Sequence, residues 1–559
     1  MYARPCAVDI THTCHVGIVH RRHQSLTCHC DQVRRFGRLR PVPALFLATA
    51  LSGVLYGLAF PVARLQWLAW IALVPFLVAV RHTRSLWGAL FLGWAWMTVM
   101  GYTVADWLAG GIARYFAQPL PVGVALFFYV STFMAGIHYM VFAAFYRVLG
   151  RAPRQAAPLL AAAAWVAVEF ARSYTLSGNP WALLGYSQIG HLHLMQIADV
   201  TGVYGISFLL AVVNAATAEA WLARPHAEGA WREVVSGFAP AVATVLLVLS
   251  YGAVRMRSPG LIPETPPVRV GLVQGNVDVG QVWREELYGR NLDTYLRLTR
   301  DLLQDDPPAI VFWPENALTF FLADEPRYRS AIGHVLASSG AELVTGGPRV
   351  VKASSSVYYS SVFFVSPDGG IVATYDKQKL LPFGEYFPFG GIDFLRRAFA
   401  RVPEFTPGTS SPPFRTAAGI AGVTICNEAM FPEIAAARVR QGATFLVDPA
   451  NDTWLTPKFS EQQFDIVTLR AVEQRRYLVR ASTSGPSAIV DPLGRVVRRT
   501  QVFTQTALAG DIRPSTIVTP YCRMGDLFAW SCVFAAAGAW LVCARRTDAG
   551  PTRLERDAA

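Results

Sequence analysis

Cys426 is the only cysteine between positions 31 and 521 of this 559-residue chain. It sits in Val423-Thr424-Ile425-Cys426-Asn427-Glu428, where apolar and β-branched residues give way to a polar pair. That pattern reads as a buried strand ending at a bend. A thiol at a strand end, next to a carboxylate and with no cysteine nearby to oxidise with, has the makings of a nucleophile. The competing reading is a small packed core residue, the commoner fate of a lone cysteine. Two other apolar runs end in residues that complement a thiol. Phe312-Trp313-Pro314 leads to Glu315, and Tyr375-Asp376 leads to Lys377. The chain has four lysines against forty-six arginines, so a lysine that persists points to a need for a compact, titratable cation. A thiol, a carboxylate to take its proton and an ammonium to hold developing negative charge form a set for nucleophilic acyl chemistry. Singly, Glu315 reads as a turn or capping carboxylate, Lys377 as a solvated loop charge, and Glu385 and Glu428 as partners of surface arginines. One chemical reading covers them all.

These residues need a scaffold whose strand ends converge. Strands are expected at 268–276, 309–316, 342–349, 357–366, 371–376, 421–427, 443–449, 478–483, 487–491 and 506–511. Helices are expected at 283–304, 325–339, 431–441 and 461–475. Pro367-Asp368-Gly369-Gly370 marks a hairpin turn, and Asp491-Pro492-Leu493-Gly494 a second. Alternating strands and helices, interrupted by hairpins, predict a layered α/β domain with mixed sheets.

The rest of the chain has another texture. It is 53% hydrophobic and 16% charged, with a mean hydropathy of +0.31, whereas soluble domains carry about 25% charged residues. Apolar stretches run at 42–61, 66–80, 86–108, 120–148, 157–171, 203–222, 236–254 and 527–544. Most approach the roughly 20 residues needed to cross a bilayer. Asp106 and Glu169 interrupt them and are expected to face the bundle interior. Arg34, Arg35, Arg38 and Arg40 precede the first stretch, and arginine pairs or clusters follow the second, fourth, sixth and last. By the positive-inside rule both termini are cytoplasmic and residues 256–524 lie on the opposite face. The net charge of +12 is absorbed by this pattern; there is no basic stripe interleaved with aromatics, so nucleic acid is not an expected partner. The expected organisation is a polar N-terminal extension over 1–41, seven helices over 42–255, an extramembrane domain over 256–524 with its core at 268–512, a last membrane helix over 525–546 and a tail over 547–559. Cys6, Cys14, Cys28 and Cys30 in the extension fit no standard zinc spacing, and no metal or cofactor is expected.

The motifs Gln274-Gly275-Asn276, Trp313-Pro314-Glu315, Tyr375-Asp376-Lys377, Leu381-Pro382-Phe383-Gly384-Glu385-Tyr386 and Cys426-Asn427-Glu428 resemble the carbon–nitrogen hydrolase (nitrilase) superfamily. Together with Gly178-Asn179-Pro180-Trp181 and Ile197-Ala198-Asp199-Val200-Thr201-Gly202, the chain looks most like the membrane-embedded branch of that superfamily, the apolipoprotein N-acyltransferases. The resemblance implies about eight membrane helices in the bacterial inner membrane and a periplasmic nitrilase-like αββα sandwich. It implies Cys426 as nucleophile, Glu315 as proton acceptor and Lys377 as stabiliser of the oxyanion. Glu385, Asn427 and Glu428 would support them, with Trp283, Phe383, Tyr386 and Trp454 as substrate contacts. The implied reaction passes an acyl group from a phospholipid, through a thioester, to the α-amine of a diacylated apolipoprotein. Lys377 is expected to favour the thiolate, and apolar loops at 318–322 and 387–405 to keep water out. The family has tyrosine where this chain has Asn427. The alternatives are a membrane-tethered amidase-type hydrolase, and an inactive lipid-binding or transport protein.

Overall fold

The computed structural model describes residues 41–115, 118–153, 155–175, 178–223, 230–277, 285–351, 357–388, 391–398, 404–409, 412–453 and 456–545. Of the unit Met1–Ala44 it describes only the first turn of a helix; the unit Leu45–Ala559 holds everything else discussed below. Residues 1–40 and 547–559, expected as extension and tail, lie outside the described residues.

Twelve strands build the part of the chain from Val268 to Ile512: β1 (Val268–Gln274), β2 (Ile310–Phe312), β3 (Glu342–Val350), β4 (Tyr358–Val365), β5 (Ile371–Asp376), β6 (Phe414–Thr416), β7 (Gly419–Val423), β8 (Phe445–Ala450), β9 (Leu478–Ser482), β10 (Ala488–Val490), β11 (Val496–Arg499) and β12 (Thr506–Ile512). They form two six-stranded sheets, ordered β12-β1-β2-β3-β4-β5 and β11-β10-β9-β8-β7-β6. In each sheet three parallel strands, β1-β2-β3 or β7-β8-β9, are flanked by antiparallel ones.

Alternation along the strands sets the layers. Val270, Leu272 and Phe312 of one sheet share a core with Val423, Phe445, Val447 and Val479 of the other, so the sheets pack face to face. Val273, Val311 and Leu343 point the other way, against Tyr295, Ile332 and Val335 of helices Glu285–Leu302 and Pro326–Ala337. On the far side Leu446 and Leu478 meet Ala435, Val439, Phe464 and Val467 of helices Pro432–Arg440 and Pro457–Gln474. The result is a nitrilase-like αββα sandwich. β6 and β11 were not expected; both are short edge strands, and β11 is exposed along its whole length, so neither carries a burial pattern.

The eight apolar stretches are helical in the described residues. Among those residues, three helices are long and apolar enough to cross a membrane: Leu120–Val148, Val203–Leu222 and Val235–Arg257. Leu86–Val104 and Trp107–Arg114 make a fourth if counted as one span bent by 67°. Pro43–Leu58, Gln66–His82 and Leu527–Cys543 are shorter apolar helices. Three or four helices therefore meet the length criterion, where about eight spans were expected. The bend has a local cause. Ala105 leaves helical geometry, and Asp106 Oδ1 accepts from the Trp107 N–H at 3.0 Å, starting a new helix. Apolar side chains such as Leu246, Leu247, Phe534 and Leu541 stay exposed on the outer surface, as expected of a face that meets lipid.

Glu169 is buried inside this bundle, accepting from Trp165 Nε1 at 3.0 Å and Leu184 N at 2.7 Å. Asp106 is not interior. It is more than half exposed at the bend and pairs at 2.9 Å with Lys458 of the sandwich. Helix Pro457–Gln474 joins the two halves, with Phe464 and Val467 turned to the sheet and Ile466, Leu469 and Val472 in the bundle core. Thr456 caps its start, accepting from Phe459 N at 3.4 Å, and Arg475 ends it in a left-handed conformation.

Candidate active site

Each sequence-selected polar residue lies just past a strand. β2 stops at Phe312, and Trp313 N still donates to Val344 O at 2.8 Å before the chain turns through Glu315. Gly346 of β3 makes that turn possible: a Cβ there would lie 2.6 Å from Glu315 Cα and 2.7 Å from Pro314 O. β5 ends at Asp376, whose two oxygens accept from Arg349 Nε and Nη2, and Lys377 N donates to Ser360 O at 2.9 Å. β7 ends at Val423, not at 427 as expected. Thr424 N makes one more bond to Val447 O, at 2.9 Å, and Cys426 opens a 3-10 turn, Cys426–Met430. Cys426 has φ 53°, a left-handed conformation costly for a residue with a Cβ. Such strain persists where surrounding structure enforces it, which is the usual condition of a presented nucleophile.

Lys377, nearly inaccessible, is the hub. Its Nζ lies 3.0 Å from Glu315 Oε1 and 2.7 Å from Glu385 Oε1. Burial alone would lower this ammonium, but the charges of Glu315, Glu385 and the Cys426 sulfur overturn that effect and hold it well above the usual lysine range. Burial pushes the Glu385 carboxyl up to about 7, against the pull of Lys377, with Glu315 adding to the rise. Glu385 Oε2 accepts from Leu381 N at 2.7 Å, fastening the 381–386 turn over the site.

The Cys426 thiol is raised well above its ordinary value, first by burial and next by Glu315; Lys377 and the Asn451 backbone amide pull the other way and are outweighed. Lys377 therefore favours the thiolate, as expected, but burial and Glu315 outweigh it. The resting sulfur is a neutral thiol, and its proton must leave as the sulfur attacks. Gln463 Nε2 lies 3.7 Å from Sγ, and Gln463 Oε1 accepts from Arg480 Nη2 at 2.9 Å. Arg480 is fully buried between Asp448 and Asp452. Arg480, a charge inside the apolar run of β9, was the signal available and passed over; Gln463 gave none.

Glu428 is fully buried and ties the nucleophile's turn to the strand end that carries Lys377. Its oxygens accept from Gln378 N at 2.6 Å, Lys379 N at 3.0 Å and Ile425 N at 2.8 Å, and from the Tyr375 hydroxyl. Asn427 Nδ2 donates to Lys379 O at 3.1 Å. The Asn427 backbone N–H lies in the first turn of a 3-10 helix, where N–H groups have no partner within the helix.

From Cys426 and Asn427 a cavity of about 260 Å³ runs between the sandwich and the bundle. Leu381, Phe383 and Phe431 line its sandwich side, and Met97, Met100, Phe127 and Val130 its bundle side. Phe383 thus faces the cavity. Tyr386 does not line it; its carbonyl accepts from Phe383 N at 2.8 Å and closes the turn. Trp283 and Trp454 lie outside the described residues, as do 389–390 and 399–403 of the expected 387–405 cover. The other expected cover, 318–322, contributes Leu318, Phe320 and Leu322 to the core beneath the outer helices. The 380–384 segment and helices Leu86–Val104 and Leu120–Tyr129 supply cavity walls beside the site.

The arrangement suits attack of a sulfur on an acyl carbonyl of an apolar substrate, with a carboxylate and an ammonium beside it. Residues 52–216 match the apolipoprotein N-acyltransferase N-terminal domain, and residues 269–519 match the carbon–nitrogen hydrolase domain. Over 505 residues the chain is 34% identical to the apolipoprotein N-acyltransferase of Geobacter metallireducens, covering 88% of this chain and 94% of that one. It is 31% identical over 389 residues to the enzyme of that name from Methylococcus capsulatus, covering 69% and 73%. The chain belongs to the apolipoprotein N-acyltransferase family.

Proposed function

We propose that this enzyme moves a fatty acyl group from a phospholipid to the N-terminal amine of a diacylglyceryl-modified lipoprotein, through a thioester on Cys426. The observation that carries this reading is the cavity that leads from Cys426 between apolar helices, because a long acyl chain needs such a path to reach a buried thiol. In the first half-reaction Glu315 takes the thiol proton while the sulfur attacks the ester carbonyl. Lys377 and the Asn427 backbone N–H hold the oxyanion. As the tetrahedral intermediate collapses, the ester C–O bond breaks and Glu315 returns its proton to the departing alcohol. In the second, the lipoprotein amine attacks the thioester, the C–S bond breaks, and the proton lost by nitrogen returns to the sulfur by way of Glu315. The amide formed is far less reactive than the thioester, which drives the sequence forward. The apolar walls keep water from the thioester between the two steps.

The same reading sets the enzyme in the bacterial inner membrane, its spans drawn from 42–255 and 525–546, with about eight helices. Residues 256–524 would face the periplasm and both termini the cytoplasm. The arginine placement supports that orientation. Purified enzyme incubated with phospholipid and a diacylated lipopeptide tests the reaction. Triacylated peptide and lysophospholipid in equal amounts are expected. Free fatty acid without acylated peptide would instead identify a hydrolase.

A further inference from the structure

Lys379 has no role in the chemistry above, yet it stands in the cavity wall beside Cys426 and Asn427. Its backbone is fixed at both ends: N donates to Glu428 Oε1 at 3.0 Å and O accepts from Asn427 Nδ2 at 3.1 Å. The side chain is half-buried, with Nζ 4.4 Å from the centre of the Phe431 ring, another wall residue. No carboxylate lies within ion-pair distance of Nζ among the described residues. Glu428 is spent on backbone N–H groups, and Glu433, which feels the Lys379 charge, accepts instead from the Tyr174 hydroxyl at 3.2 Å.

A second cation borders the same cavity. Arg172, at the end of helix Ala157–Tyr174, is 1% exposed and lies in the wall of the same cavity. Its Nη2 donates to Trp181 O at 2.8 Å, while its buried Nε has no partner. Glu169, one turn earlier, gives Oε1 to Trp165 and Leu184, and no ion pair joins it to Arg172 among the described residues. Gly178 joins the two regions, since a Cβ there would sit 3.1 Å from Phe431 and 2.3 Å from Ser173 O. Buried cations are ordinarily paired. Here one reachable ammonium and one fixed guanidinium face a cavity lined mostly by apolar side chains and bordered by the nucleophile.

We propose that Lys379, backed by the charge of Arg172, is the seat for the phosphodiester anion of the acyl donor and so fixes which ester carbonyl meets Cys426. This rests on the phospholipid-donor reading. An acyl ester whose glycerol bears a phosphodiester monoanion places its chain among Met97, Met100 and Phe127 while the anion reaches the Lys379 ammonium at the polar end. Lys379 is then a binding residue that selects the donor, distinct from the groups that move protons.

The test compares acylation of Cys426 by phosphatidylglycerol and by diacylglycerol with the same acyl chains, read by intact-protein mass spectrometry. Wild type, Lys379→Gln and Lys379→Arg are measured. In wild type kcat/KM favours the phosphodiester donor. Lys379→Gln lowers that preference by about 10- to 100-fold, the size of one lost charge-assisted contact, chiefly through KM. Lys379→Arg keeps most of it. If wild type prefers phosphatidylglycerol and Lys379→Gln keeps the same preference, the phosphodiester seat is wrong while the donor reading stands. If wild type takes its acyl group from diacylglycerol and not from phosphatidylglycerol, the donor reading itself falls.

Discussion

Gln463 links the Cys426 sulfur to the buried Arg480 guanidinium, with Nε2 3.7 Å from Sγ and Oε1 2.9 Å from Arg480 Nη2. A neutral thiol raised by burial gains most from a donor that strengthens as negative charge grows on sulfur. Gln463→Leu should therefore slow single-turnover acylation of Cys426 by about 100-fold, the lower end of the range for loss of one preorganised donor. An unchanged rate would limit Gln463 to packing.

Gly346 tests the positioning of Glu315 without altering any ionisable group. A methyl at 346 meets the backbone of residues 314 to 316, so the turn that carries the Glu315 carboxylate must shift. Displacements near 1 Å cost about 100-fold in rate. Gly346→Ala should lose activity on that scale while the protein still folds and binds lipid. Activity within a few-fold of wild type would show that the turn relaxes freely.

Glu385 should give the pH profile its inflection. Its carboxyl titrates at about 7, so below that pH it is largely protonated and Lys377 is paired with Glu315 alone. As pH rises through 7, Glu385 ionises and shares the ammonium, which frees Glu315 to accept the thiol proton. Acylation should speed up through pH 7, and Glu385→Gln should remove that inflection. The effect on stability has the opposite sign. Between the ordinary value of 4.5 and about 7 the folded state holds a proton that the unfolded chain has released, so this group lowers stability as pH rises across that window. Thermal unfolding of wild type and variant at pH 5 and 7.5 checks this slope.

Asp199 and Arg475 pair at 2.7 Å with both side chains inaccessible, tying the bundle to the sandwich; Arg255 and Tyr251 complete the cluster. Removing one member of a buried pair strands its partner's charge and costs about 3–5 kcal/mol. Asp199→Ala should lower the unfolding temperature in detergent more than Asp199→Ala combined with Arg475→Met. Equal losses would show that the pair adds only packing.

Glu315, Lys377 and Cys426 were legible because each interrupts an apolar or β-branched run, and burial imposes a pattern that polar residues break visibly. The same logic located ten of the strands to within a few residues. It failed where burial leaves no pattern: at β6 and β11 on the sheet edges, and at the left-handed Cys426, where a residue with strand propensity begins a 3-10 turn. The bend at Ala105 and the π-helical turn Val130–Gly136 lie inside stretches apolar enough, even with Asp106 at the bend, that hydropathy read each as a single straight span. Gln463 and Arg480 reach Cys426 from distant segments and gain their meaning only when the sheet and helix pack.

The covalent mechanism requires that Cys426 carry the acyl group. Enzyme incubated with phospholipid alone, quenched in acid and analysed by peptide mass spectrometry should show one acyl chain on the peptide containing Cys426. The adduct should be cleaved by hydroxylamine at neutral pH and absent from Cys426→Ser. An acyl chain on another residue, or lipopeptide acylation that persists in Cys426→Ala, would contradict the account.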